Sequence, residues 1–170
     1  MINSNFANES FISRSEESFM LYDKSLFGER KRDYVEYAPI EALFLIEQEK
    51  MRVMKNSKEI SFDSLMKKLS KVDKKISTKL AVYSDLRKRG YIVKTALKFG
   101  AEFRVYDKGY RPGAAHARWI LYTAKEYEKL SWHDFAAKNR IAHSAKKNLL
   151  LAIVDDEGDV SYYEVSWLRP

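Results

Sequence analysis

A tyrosine, a histidine and a lysine stand in distinctive surroundings in the second half of this chain: FRVYDKGYRPGAAH and, further on, KKNLLLAIVDDEGD. Tyr106, His116 and Lys147 are a candidate proton acceptor, proton donor and anion-stabilising cation. Such a set can break a phosphodiester whose own neighbouring hydroxyl attacks the phosphorus. No metal is then needed, because the protein supplies only proton transfer, alignment and charge. A free phenol titrates near 10, so Tyr106 as a base needs cations beside it, for which Lys147 and Arg104 are candidates. Taken singly, a tyrosine at a strand end reads as packing, and a histidine at a strand start is ordinary. Tyr110, in the same loop, and Lys146, beside Lys147, are alternatives of the same type.

These side chains must be held by strands and a loop. Apolar segments with few breaks, YIVKTAL, EFRVY, RWILY, LLLAIV and VSYYEV, read as strands. Tyr106 ends one of them, the glycine- and proline-containing loop DKGYRPGAA follows, and His116 begins the next. A helix from Ser131 to about Ala142, with Ser131 as N-cap, precedes Lys147. DDEGD (155–159) reads as a hairpin turn between the last two strands. Its acidic residues suggest a metal ligand set, but the bidentate glutamate of an EF-hand loop is missing.

Upstream, a helix from Ile76 stops at Gly90 with cations in its last turn. The first 37 residues read as short strands and turns. Pro39 then opens a helix, PIEALFLIEQEK, with Leu43, Phe44 and Ile46 on one side, and another runs from Phe62 to about Leu69. The lysines from Lys67 to Lys75 read as a solvated surface. The expected fold class is α+β with two small domains: a mixed helix and strand domain over 1–75, and a nuclease-type α/β domain with a mixed central sheet over 76–170.

Composition sets the class of partner. The formal net charge of +7 favours a polyanion, and Arg104, Lys108, Arg111, Arg118, Lys138, Arg140, Lys146 and Lys147 cluster around the loop in sequence. With no cysteine, disulfides, thiolate zinc sites and a cysteine nucleophile are excluded. No apolar run approaches the roughly 18 residues of a membrane span. The chain is expected to be cytoplasmic, to use no membrane and to need no cofactor. Nucleotide-binding glycine loops, HExxH and a Ser–His–Asp arrangement are all missing.

The stretch LRKRGYIVKTALKFGAEFRVYDKG (86–109), His116 with its strand, and RIAHSAKKNLLLAIVDDEGDVSYYEVSWLRP (140–170) resemble, in that order, the archaeal tRNA-splicing endonucleases. SLFGE (25–29) and PIEALFLIEQEKMRV resemble that family's N-terminal domain. The resemblance implies a metal-independent RNA endonuclease. It would cut precursor tRNA at bulge–helix–bulge motifs and leave a 2′,3′-cyclic phosphate and a 5′-hydroxyl. It favours Tyr106 and Lys147 over their neighbours, and assigns Tyr106, His116 and Lys147 as base, acid and anion stabiliser. By the RxAHxxxK context it places Arg140 in a clamp on a flipped base, with Tyr162 and Trp167 as candidates for the second arm. Asp155, Asp156, Glu157 and Asp159 would dock into a basic pocket of a neighbouring subunit. The assembly implied is a homotetramer, or a heterotetramer with a second subunit type. A non-catalytic RNA-binding subunit is the alternative, against which the full set of three stands.

Overall fold

The computed structural model describes residues 1–7 and 10–168. Asn8, Glu9, Arg169 and Pro170, the last two ending the C-terminal stretch quoted above, lie outside the described residues. The fold class is α+β, and the chain divides into two compact units, Met1–Leu80 and Ala81–Pro170.

The first unit holds β1 (Ile2–Ala7), β2 (Ser10–Ser13), β3 (Glu29–Arg30), β4 (Val35–Tyr37), β5 (Met51–Lys55) and β6 (Lys58–Ile60). They form one sheet in the order β3-β4-β2-β1-β5-β6, with β1 and β5 parallel and the other pairs antiparallel. Its helices are α1 (Glu16–Ser25), α2 (Pro39–Glu47) and α3 (Phe62–Val72). The expectation of strands and turns alone before residue 37 is corrected by α1. That helix begins through a cap, the Ser15 side chain accepting the Ser18 N–H, with Glu16 and Glu17 in the first turn; it buries only Ser18. Capping chemistry rather than apolar periodicity marks it. The expectation of a one-sided α2 is also corrected, since Ile40, Ala42, Leu43, Phe44 and Leu45 are all buried. A helix apolar on nearly every side is an interior helix. α3 continues three residues past Leu69, to Val72.

One buried carboxylate ties this unit together. Glu41 accepts the Ala38 N–H at the start of α2 and, at 3.0 Å, the N–H of Gly28. Gly28 sits at φ +76, where a Cβ would come within 2.6 Å of Val35 Cγ1, so the loop before β3 closes tightly onto β4.

In the second unit, β7 (Ile92–Ala96), β8 (Ala101–Tyr106), β9 (Trp119–Lys125), β10 (Asn148–Val154) and β11 (Val160–Val165) form a mixed sheet in the order β11-β10-β9-β8-β7. β9 and β10 run parallel; the other pairs are antiparallel. Parallel neighbours need a crossover, which α5 (Trp132–Ser144) provides. α4 (Ile76–Lys88) ends with Arg87 and Lys88 in its last turn, and Gly90 follows at φ +91.

Alternation fixes two faces of this sheet. On one, Ile120, Tyr122 and Leu149 pack with Ala142 of α5, flanked by Phe135, Leu151 and Val165. On the other, the Phe103 ring meets Tyr83 of α4 at 5.7 Å, and the Tyr162 hydroxyl donates to Asp85 of α4 at 2.7 Å.

Removing the Glu41 carboxylate leaves two backbone donors without their acceptor. Hydrogen bonds to a charged group contribute about 1.5–3 kcal/mol each. Glu41→Ala is therefore expected to lower the urea-unfolding stability by roughly 3 kcal/mol, and Glu41→Gln by less. A loss no larger than that of an exposed Glu→Ala would show that this bridge carries nothing.

Candidate active site

The ends of the three inner strands of the second sheet, β8, β9 and β10, lie together at one end of that sheet. Val105 pairs with Trp119, and Asn148 pairs with Trp119 on the other side. One step outward, the Arg118 N–H donates to the Val105 carbonyl at 3.0 Å, and the Asn148 N–H donates to the Arg118 carbonyl at 3.0 Å. The end of β8, the start of β10 and the residue that leads into β9 between them are thus tied together. Tyr106 ends β8 and Lys147 immediately precedes β10, but the expectation that His116 begins the next strand is corrected: β9 starts at Trp119, and His116 lies in the loop two residues before Arg118. Neighbouring strands are about 4.8 Å apart, so the backbones at Tyr106 and Lys147 are separated by about 10 Å, within reach of two long side chains.

Each side chain differs in setting. Tyr106 is 4% exposed, whereas Tyr110 is 56% exposed in the loop beyond. The His116 side chain is exposed. Lys147 falls on the Leu149 face of β10, but past the rim of the core: Leu149 is fully buried, Lys147 is half-buried, and its Nζ donates to the Ala145 carbonyl at 3.1 Å. That answers why a lysine can occupy an inward register position. Lys146, by contrast, is exposed and sits at φ +54 in the turn after α5.

A cleft of about 570 Å³ opens beside Lys147, lined also by Asn139, His143, Lys146 and Trp167. The Trp167 ring lies 4.6 Å from the His143 ring. Arg140, one turn earlier on α5, is exposed and lines a separate groove with Phe99 and Ser144. Tyr162 is not brought to this side. Its hydroxyl is engaged by Asp85 on the opposite face, and burial, with that hydrogen bond second, pushes the phenol well above its ordinary range.

The acidic turn closes the β10–β11 hairpin. Asp155 Oδ1 accepts the N–H groups of Glu157 and Asp159, and Gly158 takes φ +92. Asp155 therefore anchors the turn, while Asp156, Glu157 and Asp159 face solvent.

Much of the basic cluster expected from sequence is already engaged. Arg104 Nε donates to the Thr95 carbonyl, Lys108 lies over the Tyr91 ring, and Lys138 lies over the Tyr122 ring. Arg118 donates to Asp107 Oδ2 at 2.9 Å and to Glu164 Oε2 at 3.4 Å. Glu164 also accepts the Trp119 indole N–H at 2.8 Å and the Asn148 amide at 2.6 Å. Sequence reasoning missed Glu164, Asn148 and Asp107.

Both carboxylates are held below their ordinary values, Glu164 chiefly by the Trp119 N–H and Asp107 chiefly by Arg118. A depressed carboxylate adds stability that is complete above its unfolded value, here 4.5 for Glu164 and 3.8 for Asp107, and that is lost as pH falls through the lower folded value. The urea midpoint of the parent protein should fall as pH drops below about 4.5, and Glu164→Gln should flatten that fall. Parallel curves for the two proteins would contradict the assignment.

Comparison with known proteins adds an independent line. Residues 76–162 match the family model described as the tRNA intron endonuclease catalytic C-terminal domain, and residues 4–66 match that of the tRNA intron endonuclease N-terminal domain. A tRNA-splicing endonuclease of Pyrococcus horikoshii is 42% identical over 94% of this chain and 91% of its own length. One from Methanothermobacter thermautotrophicus is 40% identical over 88% of this chain and 87% of its own. One from Nanoarchaeum equitans is 40% identical over 85% of this chain and 97% of its own.

Proposed function

This chain belongs to the tRNA intron endonuclease family, and on that premise we propose that it is a cytoplasmic RNA endonuclease. It removes introns from precursor tRNA at bulge–helix–bulge motifs without a metal, and leaves a 2′,3′-cyclic phosphate and a 5′-hydroxyl. The observation that supports this reading is the meeting of three chain segments: β8, which Tyr106 ends, Arg118, two residues after His116, and the start of β10, which Lys147 precedes.

In this mechanism the RNA supplies its own nucleophile. Tyr106 takes the proton of the 2′-hydroxyl, whose oxygen attacks the adjacent phosphorus. His116 gives a proton to the departing 5′-oxygen, and Lys147 stabilises the negative charge that builds on the non-bridging oxygens. The exposed His116 suits delivery of a proton at the mouth of the site, and the half-buried Lys147 suits a cation held in place. Arg140 and Trp167, which line two grooves that share Ser144, hold a base displaced from the bulge by cation–π and stacking contact, which reads shape more than sequence. Tyr162, turned to the other face, takes no part.

Catalytic and N-terminal units occur together in one chain with the acidic turn, which supports a homotetramer over a heterotetramer. Asp156, Glu157 and Asp159 present the charge for docking on a neighbouring subunit, and β11 leaves one edge of the sheet open for pairing between copies.

Purified protein should cleave a bulge–helix–bulge RNA in EDTA and leave cyclic-phosphate ends. His116→Ala should slow single-turnover cleavage by about 10²–10⁴-fold while RNA binding is kept. An RNA left intact by the parent protein, or full activity in His116→Ala, would defeat the reading.

A further inference from the structure

Each of the three candidate catalytic residues has a chain neighbour in one hydrogen-bonded network. Asp107 follows Tyr106, Arg118 lies two residues after His116, and Asn148 follows Lys147. Arg118 is bound by Asp107 on one side and by Glu164 on the other. Glu164 in turn holds the Asn148 amide with one oxygen and the Trp119 indole with the other. Three chain segments, each carrying one candidate catalytic side chain, are thereby cross-linked by the Glu164–Arg118–Asp107 line.

We infer that Glu164 is a positioning residue for this site: it fixes the spacing of the His116 and Lys147 segments, and through Arg118 that of the Tyr106 segment. Its carboxylate sits on β11 and touches none of the three directly. The inference rests on the function proposed above, whose three residues it serves.

The ladder bonds alone do not supply this function. They set the backbones of β8, β9 and β10 in register, and the Arg118 side chain adds a tie between the chain that follows His116 and both carboxylates. The loop from Asp107 to Ala117 is shaped by its own turns, such as the Ala115 N–H to the Arg111 carbonyl, by the bridge of Pro112 to Ala115, and by Lys108 over the Tyr91 ring. Arg118 also lies 4.5 Å over the Trp119 ring, whose N–H Glu164 accepts. Guanidinium, indole and amide thus converge on one carboxylate, and all three are donors. Glutamine is therefore a sharp probe: its oxygen can still accept from Asn148, while its amide nitrogen turns donors toward the donors of Trp119 and Arg118.

The test compares the parent protein with Glu164→Gln, Glu164→Asp and Asn148→Ala. Single-turnover cleavage, the RNA dissociation constant, urea stability at neutral pH and the His116 imidazole resonances are measured for each. The chain has only three histidines, and His116→Ala identifies the resonance. Misplacement of reacting groups by about 1 Å costs on the order of 100-fold, so Glu164→Gln should cleave about 10–100-fold more slowly. Its RNA affinity should stay within about twofold, and its His116 resonance should shift. Glu164→Asp, which keeps the charge on a shorter stem, should recover part of the rate, and Asn148→Ala should show a smaller loss of the same kind.

Parent-like cleavage with an unmoved His116 resonance in Glu164→Gln would overturn the inference. So would a rate that falls only as far as folding or RNA binding falls. If Glu164→Gln does not fold, a parent-like rate in both Glu164→Asp and Asn148→Ala overturns it equally. Failure of the parent protein to cleave is a separate result that defeats the proposed function. The imidazole comparison then still decides whether Glu164 positions His116.

Discussion

The parallel pairing of β9 and β10 is the constraint from which the site follows. Parallel strands start at the same end of a sheet, so the residues entering β10 lie beside those entering β9. β8 is antiparallel to β9 and therefore finishes where β9 begins. One end and two starts coincide, so Tyr106, at the end of β8, and Lys147, just before β10, flank the chain that enters β9 two residues after His116. With an antiparallel β10, Lys147 would stand at the far end of the sheet. The register itself is pinned by burial. Ile120 and Leu149 pair across the strands and are both fully buried, and a one-residue slip would turn each apolar set to the wrong face.

That same constraint explains why α5 matters beyond packing. It is the crossover that makes the parallel pair possible, and its buried Ala142 lets the helix lie close on Ile120 and Leu149. Its C-terminal turn places His143 beside Lys147 in one cleft and Arg140 in the neighbouring groove. The surrounding charge divides into two groups. Arg104, Lys108, Lys138 and Arg118 have local partners that hold the scaffold, whereas Arg140 and Lys146 are exposed at the end of α5. A count of basic residues along the sequence merges these roles, because only geometry shows that Arg118 is bound between two carboxylates.

The strands of the second sheet were legible in sequence because each is an apolar run bounded by a turn signal, and α5 because Ser131 caps it. The DDEGD turn was legible from its glycine and aspartates. α1 was hidden, since its start depends on Ser15 and two glutamates and its body buries one serine. The all-round burial of α2 was hidden as well: Glu41 reads as a solvent-facing charge until its two backbone partners are seen. For the site, residue types offered five side chains, the family resemblance singled out three of them, and alternation raised the question of how Lys147 could share a face with Leu149. The answer, a position just past the core's rim, needed the structure. Glu164 was invisible because its partners lie far away in sequence and its strand alternates weakly.

The central claim is that these strand ends act on a nucleophile that the RNA itself provides. The most direct measurement is cleavage of a bulge–helix–bulge RNA carrying a single 2′-deoxy nucleotide on the 5′ side of one scissile bond. The account predicts that this RNA binds as well as the unmodified one, that the modified junction stays intact, and that the other junction is cut. Cleavage at the 2′-deoxy junction would mean that the attacking oxygen comes from elsewhere, and would contradict the account.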